Sequence, residues 1–375
     1  MSFQFEKQNI GIALSGGGVR AAAFHAGVLK WMAERGAINK ITHISSVSGG
    51  SLFVGLIFKY SNYQWPTQSQ YLQNVYPKIL ECLTTTSLQT AGLCKLVFNP
   101  FYWRYILSRA QVISRCIESL WSITATLDQL PKHPIWTING TTAENGRRFR
   151  FKGTKIGDYR FGYAEARTYK LSTAMAVSAA FPGGIGPITL HTNQYQWRKK
   201  AHWDAPMDEV ISPEMEKIHL YDGGVYDNLG LEPLFDIGRR KIKQDKNTKV
   251  NFIIVSDAGT PYGQRSLPGP LSFGRLKRVA DVAFDQCRAL RVRSYVNFLQ
   301  KYTDKGMYFQ IGFNPSDHVS KNMDGGDAYE WLSIKNIVAA AQYPTTLKRM
   351  TKYDFENLSR HGYEVARGNE IAYLT

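Results

Sequence analysis

An α/β fold with a central, mainly parallel sheet is what these 375 residues predict, and three observations carry that prediction. The first 60 residues read strand, helix, strand, helix. A glycine-rich turn follows each of those strands, Gly16-Gly17-Gly18 after the first and Gly49-Gly50 after the second. Far downstream another strand runs into Asp222-Gly223-Gly224. Strand–helix–strand order implies parallel strands joined by right-handed crossovers. The two early turns then open at the same carboxyl edge of the sheet, where such folds bind ligands.

Ile10 to Leu14 is a short apolar run with the character of a buried strand. Ala21, Phe24, Val28 and Trp31 recur at helical spacing, so 19–35 reads as a helix closed by Gly36. Ile41 to Val47 is the next strand, and Leu52 to Phe58 belongs to the helix after it. Over 61–130 strand alternation disappears. Leu72, Val75, Tyr76, Ile79 and Leu80 fit one helical face, and Val112, Cys116, Leu120 and Ile123 fit another. This region is expected to be a helical insertion or lid over the sheet. Its most apolar stretch, Leu93 to Leu107, mixes aromatics with Lys95 and Arg104. That mixture suits a membrane interface. A periodic apolar stripe is first of all a packing signal, so core is the expectation.

Ile135–Asn139 and Phe149–Phe151 read as a hairpin around Glu144-Asn145-Gly146. Leu171–Ala180 is a helix stopped by Phe181-Pro182-Gly183-Gly184. Residues 191–217, with Trp197 and Trp203, read as an irregular surface loop. Val250–Val255 is a buried strand, 262–275 a Gly/Pro/Ser-rich loop, 276–302 a helix and Phe309–Phe313 an edge strand. Helices at 331–341 and 344–361 close the chain. With no repeats and no linker, one domain is expected over 1–375, with the insertion at 61–130 and a C-terminal helical part at 276–375.

Composition narrows the function less than the fold. The chain is 43% hydrophobic and 20% charged, enough for a sizeable core. Lys and Arg outnumber Asp and Glu by 46 to 30, for a net charge of +16. That balance favours anionic partners: lipid headgroups, nucleic acid or phosphorylated ligands. The basic residues are dispersed, which also fits an ordinary soluble surface. Cys82, Cys94, Cys116 and Cys287 lack metal-ligand spacing and read as reduced, mostly buried thiols. The polar start at 1–8 does not read as a signal peptide, so none is expected, and no run of about 18 apolar residues occurs in the sequence. A cytoplasmic protein, working at most peripherally on membranes, is expected.

The chemistry is concentrated in Ser45–Ser51, Ser-Ser-Val-Ser-Gly-Gly-Ser, between a strand and a helix. Ser48 sits at the turn, where its hydroxyl points off the sheet towards the positive end of a helix. The pattern is a nucleophile elbow with Ser46 in place of its first glycine. A Ser/Gly-rich helix cap would read the same way. Gly16-Gly17-Gly18 leaves backbone N–H groups that hold either a phosphate or the oxyanion of an acyl-transfer intermediate, and Arg20 adds a positive charge. No Gly-x-Gly-x-x-Gly or Gly-Lys-Ser/Thr pattern is present, so dinucleotide and Walker-type sites are disfavoured. Asp222 before Gly223-Gly224 is either a turn-forming aspartate or a base for a serine across the sheet edge.

Taken in order, Gly16-Gly17-Gly18-Val19-Arg20, Ser46-Val47-Ser48-Gly49-Gly50 and Asp222-Gly223-Gly224 resemble the patatin-like phospholipase family. Val177-Ser178-Ala179-Ala180-Phe181-Pro182 adds to the likeness, which runs through 8–260. The resemblance implies a three-layer sandwich and a Ser–Asp dyad that hydrolyses lipid esters. Ser48 would be the nucleophile and Asp222 the base. Gly17 and Gly18 would form the oxyanion hole, supported by Gly16 and Arg20, with Ser46, Gly49 and Gly50 shaping the elbow. Ala21 stands where the family usually has glycine. The scheme requires no metal and no cofactor. A Ser-His-Asp triad is the rival, with His318 or His361 as the only histidines after Asp222. Phospholipid is the expected substrate, at an anionic membrane surface. A non-catalytic module for phosphorylated ligands or nucleic acid is the contrasting reading. A third is a phospholipase switched on by a nucleotide or protein, as in some relatives in bacterial defence.

Overall fold

The computed structural model describes residues 4–106, 108–182, 184–201, 208–244, 249–260, 267–269, 272, 274–319 and 329–374. Leu107, Gly183, Trp203 and much of the 262–275 loop therefore lie outside the described residues.

Twelve strands form the main sheet. They are β1 (Ile10–Leu14), β2 (Ile41–Ser46), β3 (Ile135–Thr142), β4 (Arg148–Lys152), β5 (Lys155–Asp158), β6 (Gly162–Glu165), β7 (Ile188–His191), β8 (Trp197–Lys200), β9 (Asp208–Ile211), β10 (Lys217–Asp222), β11 (Phe252–Asp257) and β12 (Gly306–Gln310). The order β12-β11-β1-β2-β3 is parallel throughout. From β3 the sheet continues antiparallel through β4, β5, β6, β8 and β9. The parallel strands are apolar on both faces because helices cover both. In β1, Ile10, Ile12 and Leu14 join the larger core and Ala13 the smaller one behind the sheet. β11 repeats this, with Phe252 and Ile254 on one side and Ile253 and Val255 on the other.

The larger core holds the helices α1 (Gly18–Glu34) and α2 (Gly49–Tyr60). Beside them come α3 (Tyr76–Thr85), α4 (Leu88–Phe98) and α5 (Arg109–Leu120) from 61–130, then α6 (Leu171–Ser178). Behind the sheet, α7 (Gly274–Lys301) contributes Tyr295 and Phe298 to the smaller core. Two last helices, α8 (Ile334–Gln342) and α9 (Lys352–Tyr373), return to the α1 side. The three-layer α/β arrangement is thus present.

Four expectations change. Residues 191–217 hold β8 and β9 rather than an irregular loop, and Trp197 is fully buried. These strands are four residues long and polar outward, so no apolar run marks them. The last helix starts at Lys352, not at 344: Pro344 breaks the chain, and Thr351 caps the helix by accepting the Asp354 N–H at 3.1 Å. Cys94 and Cys287 are exposed, leaving only Cys82 and Cys116 buried. The stretch Leu93–Ile106 is not core; most of its large apolar side chains are exposed. Among the described residues no helix is long and apolar enough to cross a membrane.

Candidate active site

Ser48 lies where β2 ends and α2 begins, with φ 49° and ψ −117°. That conformation is costly for a residue with a Cβ, by roughly 1–3 kcal/mol. Its neighbours explain how it is held. The Ser48 N–H donates to the carbonyl of Ser178 at 3.1 Å and to its Oγ at 3.0 Å. The Ser178 hydroxyl donates to the Asn139 carbonyl at 2.7 Å. Behind it runs a buried chain of hydroxyls: Trp136 Nε1–H to Ser46 at 2.8 Å, Ser46 with Ser51 at 2.8 Å, and Ser51 with Ser178 at 2.8 Å. Each hydroxyl has one proton to give, so donation runs in one direction, from Trp136 to the Asn139 carbonyl. Ser46 is therefore the second link of the chain that fixes the elbow, and its own φ is not in the left-handed region.

β10 brings Asp222 to the same level. On one edge β3 pairs with β4 along 137–141. The other edge is shared, by β2 along 135–138 and by β10 along 140–142. Ser46 stands opposite Ile138 and Asp222 opposite Gly140, so Asp222 is level with the residue two beyond Ser46. The gap left as β2 turns into α2 is the gap β10 enters, running antiparallel to β3.

The Asp222 backbone is pinned by its N–H to the Ala180 carbonyl at 3.1 Å and by Thr141 Oγ1, which donates to its carbonyl at 2.8 Å. The side chain belongs to a residue only 4% exposed. Burial pushes its carboxyl up to about 7 from the ordinary 3.8. The Gly224 N–H, donating to Oδ1 at 2.6 Å, and the Ser48 hydroxyl work against that rise by favouring the charged form.

The glycine turn closes the constellation. Gly17 and Gly18 have φ 147° and 62°, and their N–H groups make no hydrogen bond among the described residues. Flanking amides are occupied, Gly16 N–H by the Asn228 carbonyl at 3.0 Å and Val19 N–H by the Thr346 carbonyl at 2.9 Å. A methyl on Gly49 would sit 2.1 Å from the Gly18 carbonyl oxygen, and one on Gly16 3.1 Å from Ser48 Cβ. The two turns are thus in direct backbone contact. A model of the patatin-like phospholipases matches residues 12–235, more than half of the chain.

The chain belongs to the patatin-like phospholipase family.

Two solved structures of human GIVD cytosolic phospholipase A2 share this fold. One does so at 16% identity and a TM-score of 0.56. The other, in complex with methyl gamma-linolenyl fluorophosphonate inhibitor and terbium chloride, does so at 14% and 0.53. Both alignments cover 98% of this chain but 60% and 59% of the human ones, so the chain spans about three-fifths of their length. No curated protein matches the sequence.

Other residues of this patatin-like chain fall into place around that centre. Arg20 is buried and already engaged, Nε donating to the Ala258 carbonyl at 3.1 Å and Nη1 to that of Tyr343 at 2.7 Å. Burial and the nearby Arg288 bring its guanidinium down to about 10, with Asp257 opposing, so it stays charged at neutral pH. It braces the glycine turn and is not a free cation at its mouth. Gly50 and Gly223 permit close backbone approach, to Leu14 and Asn139 respectively. His361 is buried and accepts the Gly312 N–H at 2.8 Å, while His318 stacks on Phe313 with ring centroids 4.8 Å apart. Neither histidine of the rival triad makes a hydrogen bond to Ser48 or Asp222 among the described residues. Among the described residues, no three His, Cys, Asp or Glu side chains gather as a metal site.

Sequence reasoning missed Ser178, Asn139 and Asn228. A methyl on Gly16 or Gly224 would meet Asn228 Oδ1 at 2.3 or 2.8 Å, so its amide lies between the first turn and the Asp222 turn. Ser178 stood inside the recognised 177–182 segment, but nothing in its spacing tied it to Ser48.

Proposed function

We propose that this protein hydrolyses carboxylic esters of phospholipids, in the manner of a phospholipase A or lysophospholipase, through Ser48 and Asp222. The observation that carries the reading is the buried Asp222 carboxyl, held level with Ser48 at the end of β2 and raised to about 7, with the Ser48 hydroxyl among the groups that favour its charged form. A serine hydroxyl is a poor nucleophile until a base takes its proton, and a base near the working pH does so best. Asp222 takes that proton as Ser48 Oγ attacks the ester carbonyl. The oxyanion forms against the Gly17 and Gly18 N–H groups, each such donor being worth roughly 3–4 kcal/mol. Asp222 then returns the proton to the leaving alcohol. In the second half it deprotonates a water that attacks the acyl-enzyme, and the proton passes back to Ser48 as the fatty acid departs. The family membership and the convergence of the three motifs support the same reading.

The test is direct. Ser48→Ala and Asp222→Asn should each lower ester hydrolysis by at least about 10⁴-fold. The fold should persist by circular dichroism, and a fluorophosphonate should label Ser48 in the wild type alone. Products released from mixed phospholipids, identified by mass spectrometry, name the headgroup and chain position. Unchanged hydrolysis by Ser48→Ala would end the proposal.

A regulated enzyme is the second reading, favoured by one observation. Arg148, Arg150, Lys152 and Lys243 line a cleft of about 110 Å³ beside Leu234, on the side of the smaller core. A phosphorylated ligand fits such a lining. Full activity of the purified protein on liposomes with no ligand added would argue against it.

A further inference from the structure

The insertion presents a surface that a water-soluble fold has no reason to keep. Leu93, Val97, Phe98, Phe101, Trp103 and Ile106 are each between 50% and 81% exposed. They come from α4, the turn of helix after it, Pro100–Tyr105, and the Ile106 that caps that turn. α4 packs Leu88 and Gly92 inward and still carries leucine, valine and phenylalanine outward. A helix apolar on both sides needs a second apolar partner. Phe181, 42% exposed, adds to it from the segment after α6.

Charge identifies that partner. Between Cys82 and Ile117 the sequence has Lys95, Arg104, Arg109 and Arg115 and no Asp or Glu. Arg104 lies 3.7 Å from the Phe101 ring centroid, an apolar ring capped by a cation. A second copy of this surface would oppose cations with cations across a two-fold axis. An anionic bilayer supplies acyl chains for the rings and phosphates for the cations.

The surface is also joined to the candidate site at both ends. At the start of α4, the Gln89 N–H donates to the Leu347 carbonyl at 3.2 Å, and Thr346 Oγ1 donates to Gln89 Oε1 at 2.7 Å. The Thr346 carbonyl is the one that takes the Val19 N–H beside Gly18. At the far end, Ser108 Oγ donates to the Pro187 carbonyl at 2.5 Å and the Ala110 N–H to that of Ile185 at 3.2 Å. That strip continues back through Phe181 to Ala180 and Ser178, which hold Asp222 and Ser48.

From this juxtaposition we infer that Leu93–Ile106, with Phe181, docks the protein on an anionic phospholipid bilayer and brings the Ser48 cleft to the lipid surface. The inference rests on the hydrolase reading for its purpose, and the experiment separates the two. Full-length Ser48→Ala protein, which leaves vesicles intact, is sedimented with phosphatidylcholine vesicles with and without phosphatidylglycerol. Phe98→Ser and Trp103→Ser together should weaken binding about 100-fold, each removing roughly one large half-buried contact. Arg104→Gln should weaken it only on the anionic vesicles. With Ser48 restored, the same surface variants should hydrolyse a soluble short-chain ester at the wild-type rate. Equal vesicle binding by the paired variant and its parent overturns the docking surface. So does a parent that ignores vesicles but forms a dimer which Phe98→Ser dissociates. Absence of soluble-ester hydrolysis in the wild type sinks the hydrolase reading instead, and leaves the vesicle result to judge the surface alone.

Discussion

At Asp222 a single carboxyl is buried and, in the proposed mechanism, is also asked to be a base. Burial raises it to about 7, and the Gly224 N–H and Ser48 hydroxyl keep it from rising further. Below that value it is protonated and cannot take the Ser48 proton. Hydrolysis of a soluble ester should therefore rise with pH through about 7, and a kcat/KM profile whose acid limb falls near 4 would contradict the assignment. The stability sign is opposite. The folded chain holds this proton more tightly than the unfolded chain, whose ordinary value is 3.8. The contribution is full below about 3.8 and is lost as pH rises towards 7. Other buried groups carry different duties. His25 is driven down to about 4 by burial, with the Ser15 carbonyl and Asp257 opposing. It is therefore neutral, its Nε2–H donating to Ser15 at 3.0 Å and Nδ1 accepting from Ser256 at 2.7 Å. The turns that carry Ser48 and Asp222 were legible in the sequence because glycines mark them. Ser178 was not, because a small buried serine in a small-residue helix looks like packing until its contacts are known.

Among the elements, α1, which opens at the glycine turn, packs directly on α9. Gly27 faces Ser359, where a methyl would lie 1.7 Å from the backbone carbonyl oxygen, and Gly362 faces Phe24, with a distance of 2.1 Å. The helices touch backbone to backbone at both points. Gly27→Ala should cost about 3 kcal/mol in chemical denaturation, as overpacking in a tight core does. A loss below about 0.5 kcal/mol would mean that the helices can separate without consequence. The parallel strands and α1 were readable because apolar period and glycine punctuation agree there. β8 and β9 were not, since four-residue strands with polar outward faces depend on a neighbour to define them. Residues 61–130 misled in another way. Periodicity identified helices in 61–130, but an apolar stripe has the same spacing whether protein or lipid covers it.

Over the whole molecule, a net charge of +16 acts through the field it makes at an anionic surface. Added salt screens that field over about 10 Å at 0.1 M ionic strength. Hydrolysis of anionic vesicles should therefore fall as salt is raised, while hydrolysis of a soluble ester stays constant; parallel declines would point to loss of the enzyme and not of its docking. What the sequence determined by itself is local: which strands exist at the parallel centre, where glycine permits tight turns, and which serine and aspartate occupy them. These follow from backbone sterics and hydrophobic period, which act within a few residues. The tertiary structure alone decided that β10 enters the gap left by β2, bringing residues 48 and 222 level. It likewise decided that Arg20 is spent on two carbonyls and that Leu93–Ile106 faces outward. Register, burial and exposure are properties of the partners an element meets, and those partners lie tens to hundreds of residues away along the chain.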